Sequence, residues 1–218
     1  MSWRFLAFLP RLPPPGELVG GTQIRPHEVF SRCAERGHRV RVFETEHRGG
    51  APRRAGLLEV APLPVQRRGV SGLAARLAVM AALLRSEARA ARAAGERLCY
   101  YAKFPAGLVL KGGWFPAPSH PGGLLIPLAR RLGAETWAAV HDLSPEHELR
   151  MLERADVVSP RERALARRKA RLGAAEQRLL LPQASFVTAV SPVMCELIAA
   201  RCGVDPRRLA VFWSGVAP

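Results

Sequence analysis

Histidine and carboxylate side chains cluster directly after the apolar segment 136–140. His141 and Asp142 come first, and the run 144–148 (Ser-Pro-Glu-His-Glu) follows. Their spacing does not match the helical His-Glu-x-x-His pattern of zinc enzymes, and no cysteine lies nearby in sequence, so a metal site is disfavoured. These residue types predict either a histidine that contacts a substrate hydroxyl or phosphate, or one that caps local structure.

A second candidate site is the glycine pair Gly20 and Gly21, followed by Thr22 and a predicted helix. Backbone amides at a helix N-terminus attract phosphate, and glycine lets a ligand approach the backbone closely. A flexible loop without a ligand would use the same residues. The dinucleotide fingerprint Gly-x-Gly-x-x-Gly is absent, which disfavours a dehydrogenase.

Basic residues concentrate between positions 161 and 178. Leu165, Leu172 and Leu179 recur every seven residues in the same stretch and predict a helix with one apolar side that packs on the protein. The usual interpretation of such a run is a solvated face, but a basic amphipathic helix can also lie on anionic lipid. The predicted membrane or anion contacts are Arg167, Arg168, Lys169 and Arg171.

The overall composition points to one globular domain with an anionic partner. The chain has 218 residues, 48% of them hydrophobic, which is enough for a sizeable core. The 33 basic and 18 acidic residues give a net charge of +15, which favours nucleic acid, an anionic membrane surface or a phosphorylated ligand. Lysine is rare and asparagine is absent, so GC-rich codon usage is an alternative source of the many arginines.

The cysteines and the chain start indicate a cytoplasmic protein. Cys33, Cys99, Cys195 and Cys202 form no Cys-x-x-Cys pair, which fits a reducing compartment. The apolar segment 3–9 is followed by prolines and lacks a small-residue cleavage site, so it predicts a first strand and not a signal peptide. No apolar run reaches the roughly 18 residues of a membrane span. We expect a cytoplasmic location, with the inner face of the membrane as a second site.

The pattern of elements predicts an α/β fold. Apolar runs predict strands at 3–9, 39–43, 57–60, 98–102, 136–140, 186–190 and 209–213, and helical spacing predicts helices at 26–36, 73–88, 122–132, most of 144–181, and 192–201. This alternation is typical of a Rossmann-like parallel sheet with helices on both faces. Ligands bind such sheets at the carboxyl ends of the strands. That rule selects the Gly20–Gly21 loop, the segment after Ala102 and the His141 loop.

Several short motifs, taken in order, resemble one enzyme family. They are Gly-Gly at 20–21, Arg-Pro-His-Glu at 25–28, Glu-Arg-Gly-His-Arg-Val at 35–40, His-Asp-Leu at 141–143, Val-Thr-Ala-Val-Ser at 187–191, Gly-Val-Asp-Pro at 203–206 and Ser-Gly-Val at 214–216. Together they resemble the N-terminal, acceptor-side domain of family 4 (group 1) glycosyltransferases, which have the GT-B fold. The family usually has Asn-Gly-Val where this chain has Ser-Gly-Val.

The resemblance implies a reaction and roles for particular residues. In the family, the N-terminal domain binds the acceptor, a C-terminal domain binds a nucleotide sugar, and transfer retains the anomeric configuration without a bound metal. The nucleotide sugar is the donor substrate, and no other cofactor is expected. Gly20 and Gly21 match the loop that approaches the donor phosphate, and His141 matches the histidine over the reaction centre. We assign Thr22 and Asp142 to the same site as substrate contacts.

The resemblance also implies a partner. We expect residues 1–218 to form one GT-B N-terminal domain that ends at the interdomain hinge, with the donor domain absent and the chain inactive alone. The expected partners are a donor-binding domain or subunit, a lipid or glycan acceptor, and an anionic membrane surface. The alternative function is a non-catalytic basic binding module on a Rossmann-like scaffold. No nucleic-acid recognition motif is present, so nucleic acid is the less favoured ligand.

Overall fold

One large sheet organises the chain. The computed structural model describes residues 2–12, 21–45, 51–65, 69–104, 108–111, 115–118, 121–140 and 159–212. Its strands are β1 (Trp3–Leu9), β2 (Arg39–Glu44), β3 (Arg53–Ala55), β4 (Leu58–Pro62), β5 (Arg97–Phe104), β6 (Leu108–Lys111), β7 (Phe115–Pro118), β8 (Glu135–Val140), β9 (Phe186–Ala189) and β10 (Leu209–Val211). Eight of these described strands form the sheet, in the order β10-β9-β8-β5-β1-β2-β4-β3, and β6 and β7 form a separate antiparallel ribbon.

The strand order creates a switch point at β1. All neighbours in the large sheet pair in parallel except β3, which runs antiparallel to β4 at one edge. After β1, the chain adds β2 and β4 to one side of that strand. It then returns and adds β5, β8, β9 and β10 to the other side, so the strand order reverses at β1. Open α/β sheets bind ligands in the crevice that such a reversal leaves at the carboxyl ends of the strands.

The described helices connect these strands. They are α1 (Gly21–Glu35), α2 (Gly69–Ala93), α3 (Ile126–Arg131), α4 (Pro160–Leu180) and α5 (Pro192–Cys202), with short 3₁₀ turns at Pro121–Leu125, Leu181–Gln183 and Pro206–Arg208. Side-chain caps start two of them. Ser159 and Glu162 form a reciprocal capping box at α4, and the Ser191 hydroxyl accepts the Met194 amide at α5. Gly203 ends α5 with φ of 67°, a conformation that glycine adopts without strain.

Helices cover both faces of the sheet, and β1 supplies side chains to both cores. Leu6 and Phe8 belong to one buried cluster, which contains side chains from α2, α3, α4 and α5. Ala7 and Leu9 belong to the other, in which Phe30 of α1 packs over β2 and β4. The period-two alternation of a strand explains this division. The predicted Rossmann-like α/β sheet with helices on both faces is therefore confirmed.

Two helix predictions were wrong in detail. The helix expected at 26–36 begins at Gly21, and Pro26 lies inside it without an N–H to donate to the Thr22 carbonyl. The helix expected at 122–132 starts as a 3₁₀ turn and becomes α-helical only at Ile126. Close packing accompanies that tighter start, because a Cβ atom on Gly123 would lie 2.9 Å from the Phe104 ring.

Other differences concern strands that the sequence did not predict. Neither β3 nor the β6–β7 ribbon was expected. Residues 53–55 read Arg-Arg-Ala without apolar alternation, and the ribbon contains prolines, which usually indicate a loop. Residues 141–158 and 213–218 lie outside the described part of the chain, and with them lie the first part of the helix predicted at 144–181 and the last residue of the predicted final strand.

Candidate functional site

The predicted catalytic loops attach to the carboxyl edge of the sheet. Val140 ends β8 beside Phe104 of β5, and His141 is the next residue along the chain. Gly21 and Thr22 are the first two residues of α1, the helix that follows β1. Gly20, His141 and Asp142 lie outside the described residues, so their roles stay predictions. The structure brings the attachment points of both loops to the edge where α/β sheets bind ligands.

A buried carboxylate, which sequence reasoning missed, lies at this edge. Glu44 ends β2 and is only 1% exposed. Its Oε1 atom accepts the Leu12 amide at 2.7 Å and lies 2.8 Å from Nη2 of Arg53. The same Arg53 nitrogen donates to the Leu12 carbonyl at 2.6 Å. Glu44 and Arg53 therefore hold both backbone polar groups of Leu12.

The end of β1 is tied to β2 by further bonds. Leu9 is in register with Glu44, and its carbonyl accepts both the Thr45 amide at 2.7 Å and the Thr45 hydroxyl at 3.2 Å. The Glu44 carbonyl in turn accepts the Leu63 amide at 2.8 Å. A charged residue at the end of a strand that alternates arginine with apolar residues was the sequence signal for this site, but the partners of Glu44 could be found only from the fold.

The β5 side of the crevice is fixed by a second buried polar contact. The Tyr100 hydroxyl donates to the Gly122 carbonyl at 2.7 Å and anchors the 3₁₀ turn before α3. Burial raises the pKa of Tyr100 well above its usual value. The phenol therefore stays protonated and acts as a structural donor, which excludes it as a general base near neutral pH.

The predicted anion-contact residues lie on α4. Arg167, Arg168 and Arg171 are exposed there, and the backbone of Lys169 is helical. The predicted apolar side of this helix, formed by Leu165, Leu172 and Leu179, was partly wrong, because Leu179 is 67% exposed. An ideal helix drifts by about 20° per seven residues, so a strict seven-residue repeat leaves the buried face. Among the residues of this helix whose burial is described, Ala170, Gly173, Gln177 and Leu180 are buried.

The cysteines carry no reactive thiolate. All four are free. Burial raises the pKa of Cys99 to about 12, and it also raises the pKa of Cys33, Cys195 and Cys202. A raised thiol pKa keeps the sulfur protonated near neutral pH, so nucleophilic cysteine chemistry is disfavoured.

Neither a metal-ligand cluster nor a membrane-spanning helix occurs in the described part of the chain. No group of three or more histidine, cysteine, aspartate or glutamate side chains could hold a metal ion there. No helix in that part of the chain is long and apolar enough to cross a membrane. His141, Asp142 and the acids after them lie outside it, so the expectation of a metal-free site stays a prediction.

An apolar cavity of about 290 Å³ lies at the opposite edge, near the amino ends of the strands. Its lining includes Trp3, Phe5, Trp137 and Phe186. The indole N–H of Trp137 is already bonded to the Thr188 hydroxyl at 2.8 Å. Glu135, Thr136 and Ser185 also line the cavity, but most of its surface is apolar, so the carboxyl edge, where α/β sheets bind ligands, is the better candidate site.

Comparison with known proteins identifies the family and the fold of this chain. The glycosyl transferase 4-like domain family matches residues 20–215 of this chain. No curated protein matches by sequence. Among solved structures, Phytolacca americana UGT2 complexed with UDP-2fluoro-glucose and pterostilbene is similar with a TM-score of 0.51 and 15% identity, covering 100% of this chain and 54% of that chain. The apo form of the same plant protein gives a TM-score of 0.48 at 13% identity, covering 97% and 52%.

These matches settle the family and the fold. The family match extends over most of the chain, from the glycine pair to the Ser-Gly-Val segment. The chain spans about half the length of the solved structures that it matches. At 15% identity, the likeness to the UDP-2fluoro-glucose complex shows the fold alone. The chain belongs to the glycosyl transferase 4-like domain family and has the Rossmann-like α/β fold of GT-B glycosyltransferases.

Proposed function

We propose that this chain is the acceptor-side domain of a retaining glycosyltransferase, which transfers a sugar from a nucleotide sugar to a lipid or glycan acceptor. The observation that carries the proposal is the family match over residues 20–215 on a sheet whose switch point lies at β1. The described neighbours of both motifs, Gly21 at the start of α1 and Val140 at the end of β8, lie at the carboxyl edge.

Each motif has a role in this proposal. The amides of Gly20 and Gly21, with Thr22 at the start of α1, contact the donor phosphate and the transferred sugar, because free N–H groups at a helix start favour anions. His141 orients the sugar and polarises hydroxyl groups, and Asp142 contacts substrate beside it. The leaving phosphate helps to accept the proton of the acceptor hydroxyl.

A second domain would bind the donor nucleotide sugar. The UGT2 structure contains both a UDP sugar and pterostilbene, in a chain about twice as long as this one. We propose that here, too, a donor-binding domain, in the same polypeptide or in a separate one, completes the cleft. Holding both substrates in reacting geometry can lower a barrier by about 7–11 kcal/mol, and one wall of a cleft does not provide this.

We further propose that α4 faces an anionic membrane. Arg167, Arg168 and Arg171 are exposed on it, and a lipid acceptor would be reached from that surface. Each basic residue near such a surface contributes about 1 kcal/mol. The cytoplasm and the inner face of the membrane are the proposed locations.

The test is product analysis with a donor-binding domain supplied. Nucleotide sugars and lipid or glycan acceptors are incubated with the chain and that domain, and the products are identified by mass spectrometry. A sugar-modified acceptor with retained anomeric configuration supports the proposal. Tight duplex DNA binding without transfer would favour the basic binding module.

A further inference from the structure

The apolar cavity at the amino edge of the sheet originates from one small residue between aromatic neighbours. Cys99 of β5 is in register with Phe5 of β1, and residues in register on parallel strands point to the same face of a sheet. Four aromatic side chains line the cavity on the strands beside β5: Trp3 and Phe5 on β1, Trp137 on β8, and Phe186 on β9. The thiol is much smaller than these rings, so Cys99 forms the floor of the cavity and the rings form its walls.

The polar side chains of the lining already have protein partners. The Thr136 amide donates to the Ser185 hydroxyl at 3.1 Å, and the Ser185 amide donates to the Thr136 hydroxyl at 2.8 Å. The Glu135 carboxylate lies 2.6 Å from Nη2 of Arg97. The Cys99 thiol stays uncharged, because burial raises its pKa to about 12. A ligand would gain little from hydrogen bonds to this lining, so the part of it that enters the cavity must be hydrocarbon.

The cavity has the size of a small ligand site. Its volume of about 290 Å³ is roughly twice that of an apolar cavity that binds benzene, which leaves room for about ten carbon atoms. Phe186 in the wall is 39% exposed. Aromatic rings that are exposed together on a surface are typical of ligand-binding grooves.

The charges at the mouth of the cavity favour an anion. Arg97 and Glu135 are partly exposed there, and as an ion pair they carry no net charge. The turn that follows α1 lies against the β1 wall, with the His38 ring 6.0 Å from the Phe5 ring. Arg36 belongs to the same turn and is exposed, and its side chain has no hydrogen bond or ion pair within the described part of the chain. A bound anionic group would provide the missing partner.

We propose that this cavity binds a single-chain anionic amphiphile, such as a medium-chain fatty acid. About ten carbon atoms of the chain lie among the four rings, and the anionic head lies at the mouth beside Arg36. The length of β8, six residues, separates the cavity from the carboxyl edge by about 17 Å, so the ligand leaves the proposed transfer site free. This inference goes beyond the proposed function and does not depend on it.

The experiment measures the binding of straight-chain probes to the full chain by isothermal titration calorimetry, at concentrations too low for micelles. Hexanoate, octanoate and decanoate have the same head and differ in chain length, and acetate controls for simple anion binding by this basic protein. Decanol and decyltrimethylammonium keep the chain of decanoate and change the head. We expect affinity to rise about fourfold with each added CH₂ group that the cavity buries. Decanoate should bind more tightly than decanol, and decanol more tightly than the cation.

Variants locate the site after each has been checked for cooperative unfolding. Cys99→Leu raises the floor and removes room for about two CH₂ groups, so decanoate binding should weaken by about tenfold or more. Cys195→Leu, in the core on the other face of the sheet, is the matched control and should bind like the wild type. Arg36→Gln should abolish the preference for decanoate over decanol, and Arg92→Gln, at the exposed end of α2, should keep it. If Cys99→Leu does not fold, Phe186→Ser carries the test, because that partly exposed ring forms one wall.

Three results would overturn the proposal. Decanoate that binds no better than acetate, or equally well to the wild type and to a folded cavity variant, would show that the cavity is not the site. Equal affinity of the wild type for decanoate and decanol would overturn the anionic head. Tightest binding of decyltrimethylammonium would show that the rings recognise a cation instead.

Discussion

The Tyr100 hydroxyl donates a 2.7 Å hydrogen bond to the Gly122 carbonyl in the fully buried core between β5 and the turn before α3. Tyr100→Phe removes the donor and leaves that carbonyl without this partner. We expect it to lower the free energy of unfolding by about 1 kcal/mol at neutral pH. Urea unfolding of both proteins measures the difference, and equal midpoints would show that the bond contributes nothing.

The same tyrosine predicts a pH dependence. Burial raises the pKa of folded Tyr100, whereas an unfolded tyrosine ionises near pH 10. The folded state therefore holds the proton more tightly. Its stabilising effect is complete below about pH 10 and is lost progressively as the pH rises above that value. Stability of the wild type should fall more steeply than that of Tyr100→Phe above pH 10, and parallel curves would contradict this explanation.

The basic face of α4 predicts salt-sensitive binding to anionic vesicles. Replacing Arg168 and Arg171 by serine should weaken binding by about 2 kcal/mol, since each basic residue near the surface contributes about 1 kcal/mol. The matched control replaces Arg130 and Arg131 of α3, which are also exposed and carry the same charge. Vesicle sedimentation measures binding. Equal sedimentation with neutral and anionic vesicles at low salt would rule out the membrane contact.

His141→Ala tests the proposed catalytic histidine. With a donor-binding domain supplied, we expect turnover to fall by about a hundredfold or more, because a positioned polar group commonly contributes that much. The melting temperature should change little. His147→Ala, in the same segment, serves as the control and should retain most of the turnover. Unchanged turnover in His141→Ala would remove this histidine from the site.

Much of the fold could be predicted because its apolar runs determine it. β1 and β8 are short apolar segments, and the leucine and methionine spacing along α2 gave a helix in the correct place. β3 could not be predicted, because its Arg-Arg-Ala sequence has no strand preference and becomes a strand by pairing with β4.

Some residues of the candidate site could be predicted from the sequence and others could not. The glycine pair and His141 could be named from local motifs, since those residue types have particular chemistry wherever they follow a strand. Glu44 and Arg53 could not, because their role depends on the register of β1 with β2 and of β3 with β4. Such long-range contacts leave no spacing in the sequence that a motif could capture.

In the proposed function, this domain provides one wall of a two-substrate cleft. The most direct measurement is mass spectrometry of acceptor products from three reactions: the chain alone, a donor-binding domain alone, and the two together. We expect a folded chain that transfers no sugar by itself, and product only in the combined reaction, because both substrates must be held in reacting geometry. Sugar transfer by the chain alone, or none in the combined reaction, would contradict this division of roles between the two domains.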